Sequence, residues 1–443
     1  MKEEKRNLEK LNTKLEIMHT KLDPIKIENK ARELGFIKRQ RKIQAIEMVK
    51  AFCFMTFYEA CSLRNCAMFL GIICNYIVSK QALSKRLKLE CVEFFRAILF
   101  SLINDKSMFK EANSKGMFSY FGRVLLQDST SISLPKKLAG LFPGSKNQNK
   151  KPIATMKIQC IYNLLSEAFV SFKITPFTYN DQKASPDVLN LLKTGDLLLR
   201  DLGYFSVKVL KEINDKKAYF LSRYLYKTNI YDEKGNKRDI LDYLNKYGAL
   251  DKNLYLGSMI KLPVRIVAIP LPQEVASERK RKLRNNRDKR LKASKEQLAL
   301  LDWNIFVTNV PPSVWNIKIV AIMYGIRWRI ETIFKSWKSH FNLTVIPDGS
   351  SYYIETLIYA RLIWITLFET VFRRISVYTF TNTGKHLSLL KMAQFFQQNF
   401  WLLILFFDSN KKLDVILEQI GKHCCYEKRR KRLNFQERID FLS

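Results

Sequence analysis

Apolar and polar positions along the chain change period in a way that divides it. From Lys30 to Ser107 apolar residues recur at helical spacing, with stripes at Ile43 to Phe57 and Ala67 to Ile77. Within this part SKQALSKRLKLE, with Ser79, Lys80, Gln81, Ser84, Lys85 and Arg86 exposed, fits either the second helix of a helix-turn-helix or a plain surface helix. At Gly122 the period changes. RVLLQDSTSISLP predicts a buried strand that delivers Asp128 at its carboxyl end, with Ser129 and Thr130 as turn hydroxyls. ATMKIQCIYN and AFVSFKITPFT predict two further strands joined by a turn at Ser166, which makes a meander. After a helix over 184–194, GDLLLRDLGYF repeats the first device: an apolar strand, Leu197 to Leu199, ending at Asp201. SVKVLKEIND then predicts a helix and AYFLSRYLYKT a strand.

Residues 321–345, AIMYGIRWRIETIFKSWKSHFNLTV, predict one amphipathic helix. At roughly 100° per residue, Tyr324, Arg327, Trp328, Glu331, Lys335 and Lys338 share one face and Met323, Ile326, Ile330, Ile333, Phe334, Trp337 and Phe341 fill the adjoining one. The polar stripe sets a single carboxylate among cations and aromatics. A solvated face would mix charges of both signs; this one suits a metal ion held beside phosphates. After Pro347 the pattern is helical again, Tyr352 to Phe372 and His386 to Phe407, before a basic tail.

Charge narrows the partner. Lys and Arg outnumber Asp and Glu by 76 to 41, a net +35, which favours a polyanion and above all nucleic acid. Eight cysteines lie mostly in apolar helical surroundings without a CxxC pair, so they read as reduced core residues. The opening MKEEKRNLEK lacks the apolar region of a signal peptide and the apolar runs are too short to span a bilayer, so a cytoplasmic, nucleoid-associated protein with no membrane partner is expected.

The spacing Tyr-x2-Arg-x3-Glu-x6-Lys at Tyr324, Arg327, Glu331 and Lys338 is similar to the Y-R-E-K signature of the DDE transposases of bacterial insertion sequences, in the insertion-sequence-four family. One acid on a first strand, one on a later central strand and a Glu on a helix resemble the ribonuclease-H-like (retroviral-integrase-like) core of those enzymes. The resemblance implies an α/β fold in which that core, 108–222 and 301–346, is interrupted by an insertion, 223–300. The insertion would be β-rich with a very basic helix, and helical regions, 1–107 for DNA binding and 347–443, would flank the core. It further implies Asp128, Asp201 and Glu331 as catalytic residues and as ligands of two Mg2+ ions, with Mn2+ as a substitute. Tyr324, Arg327 and Lys338 would contact phosphates flanking the scissile bond. Trp303 and Trp328 match tryptophans that handle a flipped base, although Trp303 also reads as a core residue opening an apolar strand. Any one of the acids alone would read as an ordinary helix cap; together and in order they read as a triad.

The implied activity is cut-and-paste transposition of an insertion sequence: hydrolysis at the element ends, then strand transfer into target DNA by a homodimer in a synaptic complex on double-stranded DNA bearing terminal inverted repeats. Alternatives are an inactive DNA-binding derivative and a ribonuclease-H-like nuclease without strand transfer. In one departure from the family, Leu202 follows the second acid where members often carry a small or basic residue.

Overall fold

A computed structural model describes residues 22–39, 42–58, 61–105, 116–145, 153–285, 293–399, 413–427 and 434–442. Residues 1–21, the middle of the basic run 275–298, the run Phe400 to Phe407 and part of the basic tail lie outside them.

Among the described residues ten strands form one sheet, in the order β3-β2-β1-β4-β5-β10-β9-β8-β6-β7. The meander is β1 (Val124–Leu134), β2 (Ala154–Asn163) and β3 (Ala168–Pro176), antiparallel throughout; β4 (Leu197–Arg200) then pairs parallel with β1, and β5 (Tyr219–Arg223) parallel with β4. On the far side of β5 come β10 (Trp303–Thr308), β9 (Leu262–Pro270), β8 (Leu250–Leu256) and the short β6 (Ile230–Tyr231) and β7 (Lys237–Arg238). Strands expected to form a separate inserted unit thus extend the main sheet, because β9 pairs along the whole of β10. A helix not anticipated, Ile240–Tyr247, lies between β7 and β8.

Alternation along the strands sorts side chains between two apolar layers. Val124, Leu126, Ile132, Leu197 and Leu199 enter one, built with the helices Leu89–Asn104, Ile317–Ile326, Trp328–Ser339 and Ser351–Thr383; Leu125, Leu198 and Phe220 enter the other, under the helices Val207–Asp215 and Ile240–Tyr247. Helix Ser351–Thr383, 33 residues and so about 50 Å long, is capped by Ser350 and ended by Gly384, whose φ of +65° is the left-handed geometry that glycine adopts at no steric cost. No helix among the described residues is long and apolar enough to cross a membrane.

Three local expectations change. β1 does not end at Asp128 but runs six residues further, since Ser129 to Leu134 pair in register with Ala154 to Gln159 of β2. The stretch 184–194 forms only a helical turn, Asp181–Ala184, and a 3-10 turn, Ser185–Val188. The helix expected over 321–345 is two, Ile317–Ile326 and Trp328–Ser339, interrupted at Arg327. There the Arg327 amide donates to the Tyr324 carbonyl (3.1 Å) and the Ile330 amide to the Arg327 carbonyl (3.2 Å), so the turn is tightened locally. In the amino-terminal region, the segment read as either a helix-turn-helix element or a surface helix holds only the five-residue Lys80–Ser84, with Arg86 half-buried.

Candidate active site

The last parallel pair between β1 and β4 is Gln127 with Arg200. Asp128 and Asp201 each follow that pair by one residue, so two neighbouring strands deliver the two aspartates side by side. Both belong to the face shared with Leu126 and Leu199, which is the face on which the interrupted helix packs. Asn316 starts that helix by accepting from the Ile319 amide (3.0 Å), and Val320, Met323, Ile326, Ile330 and Ile333 bury its apolar side. Arg327 and Glu331, one turn apart, are thereby aimed at the aspartates.

One guanidinium ties the three acids together. Arg327 donates to Asp128 Oδ2 at 3.0 Å and to Glu331 Oε1 at 2.6 Å, and lies 3.8 Å from Asp201 Oδ1. Exposure grades across the group: the Arg327 side chain is 6% exposed and Asp128 15%, whereas Glu331 is 35% and Asp201 47%, so the cluster opens on one side only. Burial pushes the Asp128 carboxyl from its usual 3.8 up to about 7; Arg327 and the Ser129 amide pull it down, while Asp201 and Glu331 add to the rise. Burial opposes the charge on Arg327, yet Tyr324 and the three acids together hold it above the ordinary arginine range. Three carboxylates against one guanidinium leave an excess of negative charge in a protein whose net charge is +35. A compact oxygen-rich site of that sign is what hard divalent cations need. As it stands, no three His, Cys, Asp or Glu side chains among the described residues form a ready metal cage, and the guanidinium lies between the acids instead.

The remaining expected residues divide. Tyr324 lines the site from within: it is 8% exposed, its ring lies 5.1 Å from that of Phe306 and 5.6 Å from the Arg327 guanidinium, and burial pushes its phenol up to about 12. Trp328 is 59% exposed beside Arg327. Lys335 and Lys338 are exposed, Lys338 about 10 Å along the helix from Glu331 on the same stripe. Trp303 lies apart from this group. Its position in β10 alternates with Phe306, which faces the acids, so it packs on the opposite layer, and its Nε1 donates to the Gly248 carbonyl at 2.8 Å. The core alternative describes it better than base stacking does.

Sequence reasoning missed the groups on the far face behind the aspartates, Lys157, Gln159, Asp181 and Arg200. The signal was present, since Lys157 and Gln159 interrupt the apolar strand ATMKIQCIYN with period two. Arg200, the residue before Asp201, is fully buried and donates to the carbonyl (3.0 Å) and hydroxyl (2.6 Å) of Ser185; burial lowers its guanidinium to about 9.

Comparison with known proteins gives a matching model, "Transposase DDE domain", over residues 119–345, which spans all three acids. Similar relatives include the transposase for insertion sequence element IS231B of Bacillus thuringiensis subsp. berliner, 28% identical over 86% of this chain and 84% of the relative. The IS231D transposase of B. thuringiensis subsp. finitimus is 29% identical over 88% and 85%, and the IS1151 transposase of Clostridium perfringens 27% over 77% and 76%. Among solved structures, a piggyBac transposase in a synaptic complex with hairpin DNA aligns over 91% of this chain and 83% of that one, at 10% identity and a TM-score of 0.41, too distant a likeness to carry an argument.

Proposed function

The chain belongs to the transposase DDE domain family and is an enzyme of DNA transposition; from that premise we propose that Asp128, Asp201 and Glu331 are its catalytic carboxylates. The observation that carries the proposal is their convergence on Arg327 from positions far apart in the chain. In this reading the strand order β3-β2-β1-β4-β5, with β1 to β3 antiparallel and β4 and β5 parallel to β1, is the ribonuclease-H-like core, and residues 223–300 are the insertion that widens its sheet.

The donor set fits magnesium: carboxylate oxygens only, an excess of negative charge, and one buried carboxyl, raised to about 7, whose proton a bound cation would displace. Asp128, Asp201 and Glu331 would hold two such ions, which when bound supply Lewis-acid activation of a water or 3′-hydroxyl and stabilise the leaving oxygen. The chain's own groups do the rest. Arg327, relieved of its acids, and Lys338 grip the phosphates beside the scissile bond, with Tyr324 bracing the guanidinium. Trp328, its indole exposed next to Arg327, offers a stacking surface for an unpaired base. Cleavage at the element ends is phosphodiester hydrolysis; joining to target DNA is transesterification by the released 3′-hydroxyl, in a dimer that pairs two ends.

The test uses a duplex bearing the terminal repeats that flank the gene. Asp128→Ala, Asp201→Ala and Glu331→Ala are each expected to abolish strand cleavage in Mg2+ while retarding the duplex in a gel as the wild type does. Residual cleavage by any of the three variants would remove that residue from the catalytic set.

A further inference from the structure

Across the sheet from the acids lies a second polar group. Ser129 follows Asp128 on β1 and therefore points to the other face, as do Lys157 and Gln159 on β2, whose neighbours Ile158 and Cys160 join the acid-side layer. All three converge on one carboxylate, the first residue of the turn Asp181–Ala184. Asp181 Oδ1 accepts from Ser129 Oγ at 2.7 Å, Lys157 Nζ at 2.7 Å and Gln159 Nε2 at 3.3 Å. Its other oxygen approaches the segment that follows Asp201: a Cβ built on Gly203 would stand 3.2 Å from Asp181 Oδ2. The next residue closes the loop, since Tyr204 Oη donates to Gln159 Oε1 at 2.5 Å.

One side chain thus touches the backbone neighbourhoods of both aspartates from behind. The Lys157 side chain is 9% exposed, which makes this an ion pair largely withdrawn from water, of a kind whose disruption strands a charge. Burial works against ionisation of Asp181, but the bonds from Lys157 and Ser129 outweigh it and hold the carboxyl below its usual range. Nothing in the chemistry of the cleft calls for these groups, and a sheet needs no buried ion pair for its stability. What the arrangement does is tie the middle of β1, beside Asp128, to the turn that follows Asp201. Their separation decides whether Asp128 and Asp201 can share a cation.

We propose that Asp181, anchored by Lys157, is a positioning residue that sets the spacing of Asp128 and Asp201 through Ser129 and the Gly203 turn. The inference rests on the reading of those aspartates as metal ligands. Groups that orient metal-binding carboxylates from outside the ligand shell typically change cation affinity by about 10- to 100-fold when removed.

Terbium, a luminescent stand-in for the divalent ion, is titrated into the full chain without DNA and displaced with Mg2+. Asp181→Ala is expected to raise the half-saturating Tb3+ concentration roughly tenfold or more, and Ser129→Ala to raise it by less, with gel retardation of end DNA unchanged. The half-saturating Mg2+ for cleavage should move the same way, and raised Mg2+ should restore the rate. A role confined to folding would leave the affinity of the folded protein unmoved. Should Asp181→Ala not fold, Ser129→Ala, which removes one half-buried hydroxyl, decides. Tb3+ affinity within about twofold of wild type in the folded variant overturns the inference. Asp128→Asn and Asp201→Asn serve as controls: if they retain the Mg2+-displaceable Tb3+ signal, the metal-ligand reading itself falls and this one with it. If they lose it while Asp181→Ala does not, only the positioning role fails.

Discussion

Asp128→Asn should stabilise the protein while ending its activity, and should do so in a pH-dependent way. In the folded chain this carboxyl titrates at about 7 against a usual 3.8. Between those values the unfolded chain has released a proton that the folded chain still holds, so stability from this group is whole below the lower value and is lost as pH rises through the higher one. Linkage then puts the stability lost relative to low pH, because the fold holds this proton, at about 1 to 2 kcal/mol near pH 5 and about 4 kcal/mol near pH 8, where the loss levels off. Asparagine keeps the shape and still accepts from the Ser129 amide, which donates to Asp128 Oδ1 at 2.7 Å, but it carries no charge to bury. Arg327 remains paired with Glu331 in the variant. Urea melts of wild type and variant in EDTA should therefore show the variant's advantage growing by about 2 to 3 kcal/mol from the lower pH to the higher one, as a displaced midpoint at unchanged slope. Effects of the substitution that do not titrate cancel in that difference of differences. An advantage that is the same at both pH values, or that shrinks as pH rises, would refute the claim that the site holds Asp128 against its ionisation.

Lys338→Ala should weaken binding of end DNA and reduce the slope of log affinity against log salt by about one, the signature of one lost phosphate contact; fluorescence anisotropy across a salt series checks it, and an unchanged slope would place the lysine off the DNA. Arg438→Met acts on the helix interruption: Arg438 Nη1 donates to the Gly325 carbonyl at 2.8 Å, and a Cβ on Gly325 would collide with that guanidinium. Losing this bond should cost about 1 kcal/mol in urea melts and slow cleavage more than it weakens gel retardation, because the tether sits two residues from Arg327. Equal losses in binding and cleavage would show that the contact only supports the fold.

How much of this was legible depended on the range of the interaction. Short apolar or alternating runs located β1 to β5 and β10, and polar residues closing apolar runs picked out Asp128 and Asp201, because local burial alone imposes those patterns. The extent of β1 was not legible: Ser129, Thr130 and Ser131 are turn formers by local preference, and only the ten-residue ladder with β2 holds them extended. The interruption at Arg327 has no proline to announce it. Its local geometry accompanies two long-range contacts, the Asp128 carboxylate on one side and Arg438 on the other, neither visible in a helical wheel. The same holds for Asp181, whose partners on β1 and β2 lie 52, 24 and 22 residues away. Trp303 shows the opposite case. A motif match suggested the cleft, while strand alternation, fixed by its neighbours Ile305 and Val307 in the far layer, had already assigned it to the other face.

These pieces make the site a place of local conflict within a consistent fold. Apart from Thr130, the acid-side positions of β1 and β4 are otherwise apolar, yet within β1 and just past the end of β4 that layer receives two carboxylates and meets a third from the helix. One guanidinium can answer only part of that charge, and the carboxyl most withdrawn from water is the one displaced to about 7. Such a cluster costs stability in the free protein, as functional sites commonly do. In the proposed reading the cost would be recovered when cations of higher charge and shorter reach took the place of the guanidinium, and that exchange would free Arg327 for bidentate contact with a phosphate. Lysine could not serve here: a single ammonium cannot donate to Asp128 and Glu331 in the forked geometry that Nη1 and Nη2 occupy at 3.0 and 2.6 Å. On the proposed function, the arginine between the acids would thus link the resting charge balance of the site to its grip on DNA.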